Sequence, residues 1–248
     1  MRCAVMQPTY LPWAGYFALI ELADVFMFYD TAQFSKSSWH YRNRILCQNE
    51  VKWISLNIQH KHEQCLNETK ILVLNKQIKK HSNTIKTYYA KAPYFNDAYE
   101  IILYLNKRVF ECETEPTLAA LNIEIITFIC EKLMLKTKLI RSSSIPVNTD
   151  NINILEQRSG KLSHYLKAMK CTEYFSPIGA KEYIQKDNLI ERLFHTTYCD
   201  FTPQKYNQFS HNESFAGYLS IIDVVANLGW EKASQYIKDM SCQIKHIN

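Results

Sequence analysis

Side chains able to do chemistry crowd into one stretch of the chain, Met6 to Arg44, which reads MQPTYLPWAGYFALIELADVFMFYDTAQFSKSSWHYRNR. Gln7 offers a neutral amide that can donate to a carbonyl or a sugar hydroxyl without a charge cost, or it can satisfy loop backbone. Asp30 can take a proton as a general base, orient another base, or cap a turn. His40 is a further candidate acid or base, and Gln7, Asp30 and His40 are the candidate catalytic set. Lys36, Trp39, Tyr41, Arg42 and Arg44 put three cations and two aromatic rings within nine positions. Guanidinium forks grip phosphate bidentately and flat rings stack on a base or a sugar, so these residues read as a binding group. Tyr10, Tyr16, Gln33 and Asn43 are expected to add hydroxyl and amide contacts to the same substrate.

The elements that must position these groups can be read from the flanking pattern. Cys3 to Met6 is a short apolar run that reads as a buried strand. Pro8 and Pro12 oppose both helix and ladder and force a loop from Gln7 to Trp13. Phe17, Leu19, Ile20 and Leu22 fit one helix face, and Gly15 lets something approach its first turn. Val25 to Tyr29 is a second strand, which makes a compact βαβ unit and therefore a parallel pair. The turn leaving the first strand then lies at the carboxyl edge of the sheet, where such sheets bind ligands.

Further along, Gln33 to Arg44 reads as a polar loop, and Ile45–Cys47 with Val51–Ile58 as a hairpin turning at Gln48–Glu50. The alternation of the second arm leaves its inward face ambiguous. Lys70–Leu74 reads as a strand. Lys79–Tyr89, a helix capped by Asn96 or Asp97 and running to Glu111, and Thr117–Leu133 form a helical region over 79–135. Lys138–Arg141, Thr172–Phe175 and Thr197–Phe201 read as strands, and Asn151–Met169 and Ala180–Gln185 as helices. A helix from Tyr218 to Leu228 ends at Gly229, and an amphipathic tail from Trp230 completes a helical C-terminal portion over 214–248. The expected fold is a single α/β domain over 1–248, a Rossmann-like mostly parallel sheet flanked by helices. Ser142, Ser143 and Ser144 follow a strand, so their hydroxyls and amides can hold an anion or form an ordinary turn. Asp223, inside an apolar helix, needs a partner: it is either a structural pair or a ligand for a substrate amine.

Composition narrows the function classes. The net charge of +5 is modest and carries no long basic run, so no nucleic-acid partner is required, whereas an anionic small molecule suits it. The five glycines form no phosphate-cradling cluster, which removes the Walker and dinucleotide fingerprints. The eight cysteines contain no C-x-x-C pair, and His60 with His62 lacks a completing ligand, so no metal site is expected. No stretch approaches the 18 or so apolar residues of a membrane span, and no signal-peptide pattern opens the chain. The expectation is a cytoplasmic protein whose cysteines are reduced and mostly buried.

Taken in order, MQPTYLPWAGYF, YDTAQFSKSSWHYRNR, KAPYF, RSSS, SPIGAKEY and YLSIIDVVANLG resemble the WbqC-like family along nearly the whole chain. The resemblance implies a role in O-antigen and other surface-glycan biosynthesis, with transfer of an acyl or aminoacyl group to a nucleotide-linked amino sugar. It implies no required cofactor, only an activated acyl donor or ATP as co-substrate. A non-catalytic binding protein for a nucleotide sugar or glycan intermediate is the alternative. The opening unit alone also resembles pantothenate synthetase-like nucleotidyltransferases, which suggests an adenylate-forming ligase. That family's His-x-Gly-His is missing here, since Pro12, Gly15 and Tyr16 stand in its place.

Overall fold

The computed structural model describes residues 1–61, 63–112, 114–146, 159–209 and 214–244. Its centre is a five-stranded sheet of β1 (Arg2–Met6), β2 (Val25–Phe28), β7 (Lys138–Arg141), β8 (Glu173–Pro177) and β9 (His195–Cys199). All neighbours pair in parallel, in the order β7-β2-β1-β8-β9. Counted along the chain that order is 3-2-1-4-5, the doubly wound arrangement, and its direction reverses between β1 and β8.

Both faces of this sheet are covered, and the residues alternate accordingly. Ala4, Phe26, Phe28, Phe175 and Cys199 face one core with α1 (Ala14–Leu22) and α8 (Ile221–Cys242). Cys3, Val5, Val25, Met27, Tyr174 and Tyr198 face the other, with α5 (Gly160–Ala168), α6 (Lys181–Gln185) and α7 (Leu189–Leu193). Burial on both faces explains why β2 is apolar throughout. The expected α/β class, parallel sheet and C-terminal helix are all present.

A long excursion between β2 and β7 carries everything else. It contains the antiparallel hairpin of β3 (Arg42–Cys47) and β4 (Glu50–Ser55), then the small pair β5 (Ile58–Gln59) and β6 (Lys70–Ile71). The helices α2 (Leu74–Tyr89), α3 (Phe95–Glu111) and α4 (Leu118–Lys132) follow. Thr117 caps α4 by accepting the Ala120 N–H, and α8 packs across α1 and α3.

Several local expectations change. The strand at Lys70 stops at Ile71, because Val73 turns into the left-handed region (φ 49°) and α2 starts at Leu74. Arg42 begins β3, so Arg42–Arg44 lie on a strand instead of a loop. Neither Asn96 nor Asp97 caps α3, which starts at Phe95; the Asp97 carboxylate instead accepts the Trp230 N–H at 3.1 Å. The last strand is His195–Cys199, two residues earlier than expected at each end. Gly229 does break the C-terminal helix, at φ 72° and ψ 171°, and helix resumes after it to Cys242. Residues 151–158 of the expected 151–169 helix, and 245–248 of the tail, lie outside the described residues.

Candidate active site

The chain reversal between β1 and β8 opens a crevice at the carboxyl edge of the sheet. It measures about 620 Å³ and is lined by Val5, Met6, Gln7, Tyr29, Ala32, Gln33, Leu162, Tyr174, Pro177, Gly179, Ala180, Tyr183 and Ile184. That volume falls in the range of small-ligand sites, and the mix of apolar walls with a few amides and phenols is typical of them. Burial pushes the Tyr29 hydroxyl up to about 12, so it stays protonated and available as a donor.

A smaller hollow of about 210 Å³ lies on the other face of the same edge and shares Met6 and Pro177 with the crevice. Trp13, Gly15, Tyr16 and Tyr218 form part of its wall. The group that Gly15 admits is the Trp13 indole: a Cβ at Gly15 would sit 2.2 Å from the ring atoms Cη2 and Cζ2. Tyr218 packs on Trp13 at 5.0 Å between ring centroids.

Gln7 is the polar centre of the crevice. Its Oε1 lies 3.0 Å from His40 Nε2, an arrangement in which the imidazole N–H donates to the amide oxygen. The Gln7 NH2 is then left to donate elsewhere. His40 is 3% exposed, and burial lowers its pKa to about 4, so it is neutral near physiological pH. Its Nδ1 is buried with no hydrogen-bond partner among the described residues. The Tyr16 hydroxyl donates to the Gln7 carbonyl at 3.1 Å, fixing the loop from the other side.

Asp30 leaves the end of β2 but turns away from solvent, at 1% exposure. Its Oδ1 accepts from Ser142 Oγ (2.8 Å) and the Ser143 N–H (2.9 Å), and Oδ2 from Ser143 Oγ (2.6 Å). Thr31 Oγ1 joins this cluster, 2.9 Å from Ser142 Oγ and 3.2 Å from the Tyr165 hydroxyl. The serine turn after β7 thus binds an anion, and that anion is Asp30. Ser144 is exposed and donates instead to the Arg141 carbonyl.

Other candidate residues are distributed around this centre. Tyr10 is fully buried, its hydroxyl 2.8 Å from His81 Nδ1, so it faces the core and not the crevice. Asn43 is 1% exposed and ties backbone together, donating to the Tyr10 carbonyl and accepting the Arg44 N–H. Asp223 is fully buried and accepts from Tyr89, Tyr206 and Gln208, which joins α8 to α2 and to the preceding loop. Gln33 is exposed at the crevice wall. Lys36 borders a separate hollow with Phe34, Tyr41 and His60. Trp39 is 42% exposed, and Arg44 lies over its ring at 5.4 Å.

Sequence reasoning did not single out Tyr29, Tyr183, Trp13, Trp53 or Tyr218. Pro177, Gly179, Ala180 and Tyr183 come from the SPIGAKEY segment, which closes β8 and leaves its carboxyl end as the Gln7 loop leaves β1. That equivalence of position was the available signal.

The order of strands defines a doubly wound α/β protein with a crevice at its switch point. The chain belongs to the WbqC-like protein family, whose sequence model matches residues 7–235. It is also similar to the uncharacterized protein Rv1507c of Mycobacterium tuberculosis (strain ATCC 25618 / H37Rv). The two are 27% identical over 242 residues, covering 96% of this chain and 97% of that protein. No solved structure matches. Among the described residues, no helix is long and apolar enough to cross a membrane.

Proposed function

We propose that this protein is a transferase of surface-polysaccharide (O-antigen) biosynthesis that moves an acyl or aminoacyl group onto a nucleotide-linked amino sugar. The observation that carries this reading is the Gln7 carboxamide, held by His40 at the wall of the switch-point crevice. In acyl transfer the substrate amine attacks the donor's carbonyl carbon, a C–N bond forms, and the donor's leaving group departs with its electron pair and takes up the proton that the amine gives up. Negative charge gathers on the carbonyl oxygen in between, and a preorganised neutral donor such as the Gln7 NH2 stabilises it. His40 acts through Gln7, which makes it a positioning residue. Asp30, filled by the serine turn, holds the β7 end beside the crevice and does not take the proton.

In this reading the nucleotide sugar occupies the larger crevice, between Tyr29, Gln33 and Tyr183. The experiment is incubation of the purified chain with nucleotide-linked amino sugars and activated acyl donors, followed by mass analysis. A product heavier than the sugar nucleotide by the acyl mass supports the transferase. Tight sugar-nucleotide binding with no product from any donor makes the chain a carrier of the intermediate. Release of pyrophosphate from ATP identifies an adenylate-forming ligase.

A further inference from the structure

The outer face of the β3–β4 hairpin carries a set of residues that its own folding does not explain. Trp53 stands opposite Arg44 in the ladder and is 49% exposed, and Trp39 folds against it at 5.1 Å between centroids. Arg42 lies over the Trp53 ring at 4.4 Å and Arg44 over Trp39 at 5.4 Å. Arg42 Nη2 donates to the Ser37 carbonyl at 3.3 Å, and neither guanidinium forms an ion pair among the described residues. Two half-exposed indoles side by side are costly to leave in water, and a pre-stacked ring binds a ligand with little loss of freedom.

The row does not stop at the hairpin. Arg44 Nη2 donates to the Tyr218 carbonyl at 3.1 Å, and Tyr218 packs on Trp13 at the wall of the smaller hollow. Contacts therefore run from Trp53 through Trp39, Arg44 and Tyr218 to Trp13 at the carboxyl edge of the central sheet. We propose that this row is a binding track for an acidic oligosaccharide whose end enters the switch-point site. It rests on the reading of that site as a sugar seat, and it enlarges the substrate from one sugar to several.

The chemistry favours sugars over single-stranded nucleic acid, the other ligand of aromatic and basic grooves. Trp39 and Trp53 are tilted by 45° and offer no parallel slot for a base. The row holds two guanidiniums, Arg42 and Arg44, too few to meet each phosphate of a polynucleotide. Tilted indole faces suit the C–H faces of pyranose rings, and the two guanidiniums suit carboxylates borne on them.

The test is calorimetric titration of the intact chain with an oligogalacturonate hexamer, UDP-N-acetylglucosamine and oligothymidylate. The hexamer is expected to bind, and Trp53→Ala and Arg42→Gln to weaken it on the order of tenfold. Trp53→Phe keeps a ring and is expected to stay within about threefold of the unaltered chain, which separates a lost contact from a misfolded hairpin. UDP-N-acetylglucosamine binding is expected to be the same in all three variants. No hexamer binding, hexamer binding untouched by Trp53→Ala, or a preference for oligothymidylate would overturn the track. Hexamer binding that responds to Trp53 while the nucleotide sugar fails to bind the unaltered chain upholds the track and removes the nucleotide-linked acceptor.

Discussion

Asp30 gives the sharpest separation between a group that reacts and a group that holds. Its carboxylate accepts three hydrogen bonds, two on Oδ1 and one on Oδ2, from a turn contributed by the neighbouring strand. In Asp30→Ala the two serine hydroxyls can rotate to other acceptors, but the Ser143 N–H cannot. The loss of charge-assisted bonds and one stranded N–H together amount to about 3–5 kcal/mol of stability. Asp30→Asn keeps the oxygen that serves Ser142 Oγ and Ser143 N–H, and its NH2 can donate to Ser143 Oγ, so its cost is about 1–2 kcal/mol. Equilibrium unfolding in urea measures both, provided the slope stays constant across the variants. A second readout is turnover, or sugar-nucleotide affinity, in Asp30→Asn. A holding carboxylate leaves these within a few-fold, whereas a general base loses about a hundredfold or more. An alanine variant destabilised by less than about 1 kcal/mol would refute the reasoning.

The remaining predictions concern the backbone and the buried imidazoles. Gly229→Ala should destabilise by about 2–4 kcal/mol, because φ 72° with ψ 171° is a region kept to glycine and a Cβ would meet Tyr94 Cδ1 at 2.7 Å; thermal unfolding checks it. His40 and His81 are both lowered to about 4 by burial, from an ordinary value of 6.5. The unfolded chain takes up protons near 6.5 that the folded chain refuses until about 4, so stability is full above that upper value and falls with pH across the window. Each imidazole contributes about 2 kcal/mol of loss by about pH 5. Replacing His40 and His81 together by Gln should flatten the stability profile in that window, and a profile of unchanged slope would contradict the assignment.

What was legible in the sequence was what is local. The β1–α1–β2 unit is contiguous, its prolines and apolar runs are unambiguous, and it came out as read. The strand order was not legible, since β7, β8 and β9 reach the sheet only after an excursion of more than a hundred residues. Burial inside the loops was equally hidden. Tyr10 read as a substrate contact, yet the loop turns it inward onto His81. Asp30 read equally as a reactive carboxylate or a cap, and nothing before Ser142 in the chain announces that a serine turn will fill it. In β4 the alternation left the inward face open, and the structure settles it with Ile54 buried and Trp53 outside. That one choice of face turns a group of cations into an ordered row of rings and guanidiniums.

The nucleotide sugar is expected in the crevice between β1 and β8. Gly179 lines that crevice, and a Cβ added there meets nothing within 4 Å, so Gly179→Phe adds a bulky ring at its wall. Calorimetric titration of UDP-N-acetylglucosamine into this variant is the most direct test. The account predicts affinity reduced by at least about thirtyfold, some 2 kcal/mol, with thermal stability unchanged. An affinity equal to that of the unaltered chain would contradict it and place the ligand elsewhere.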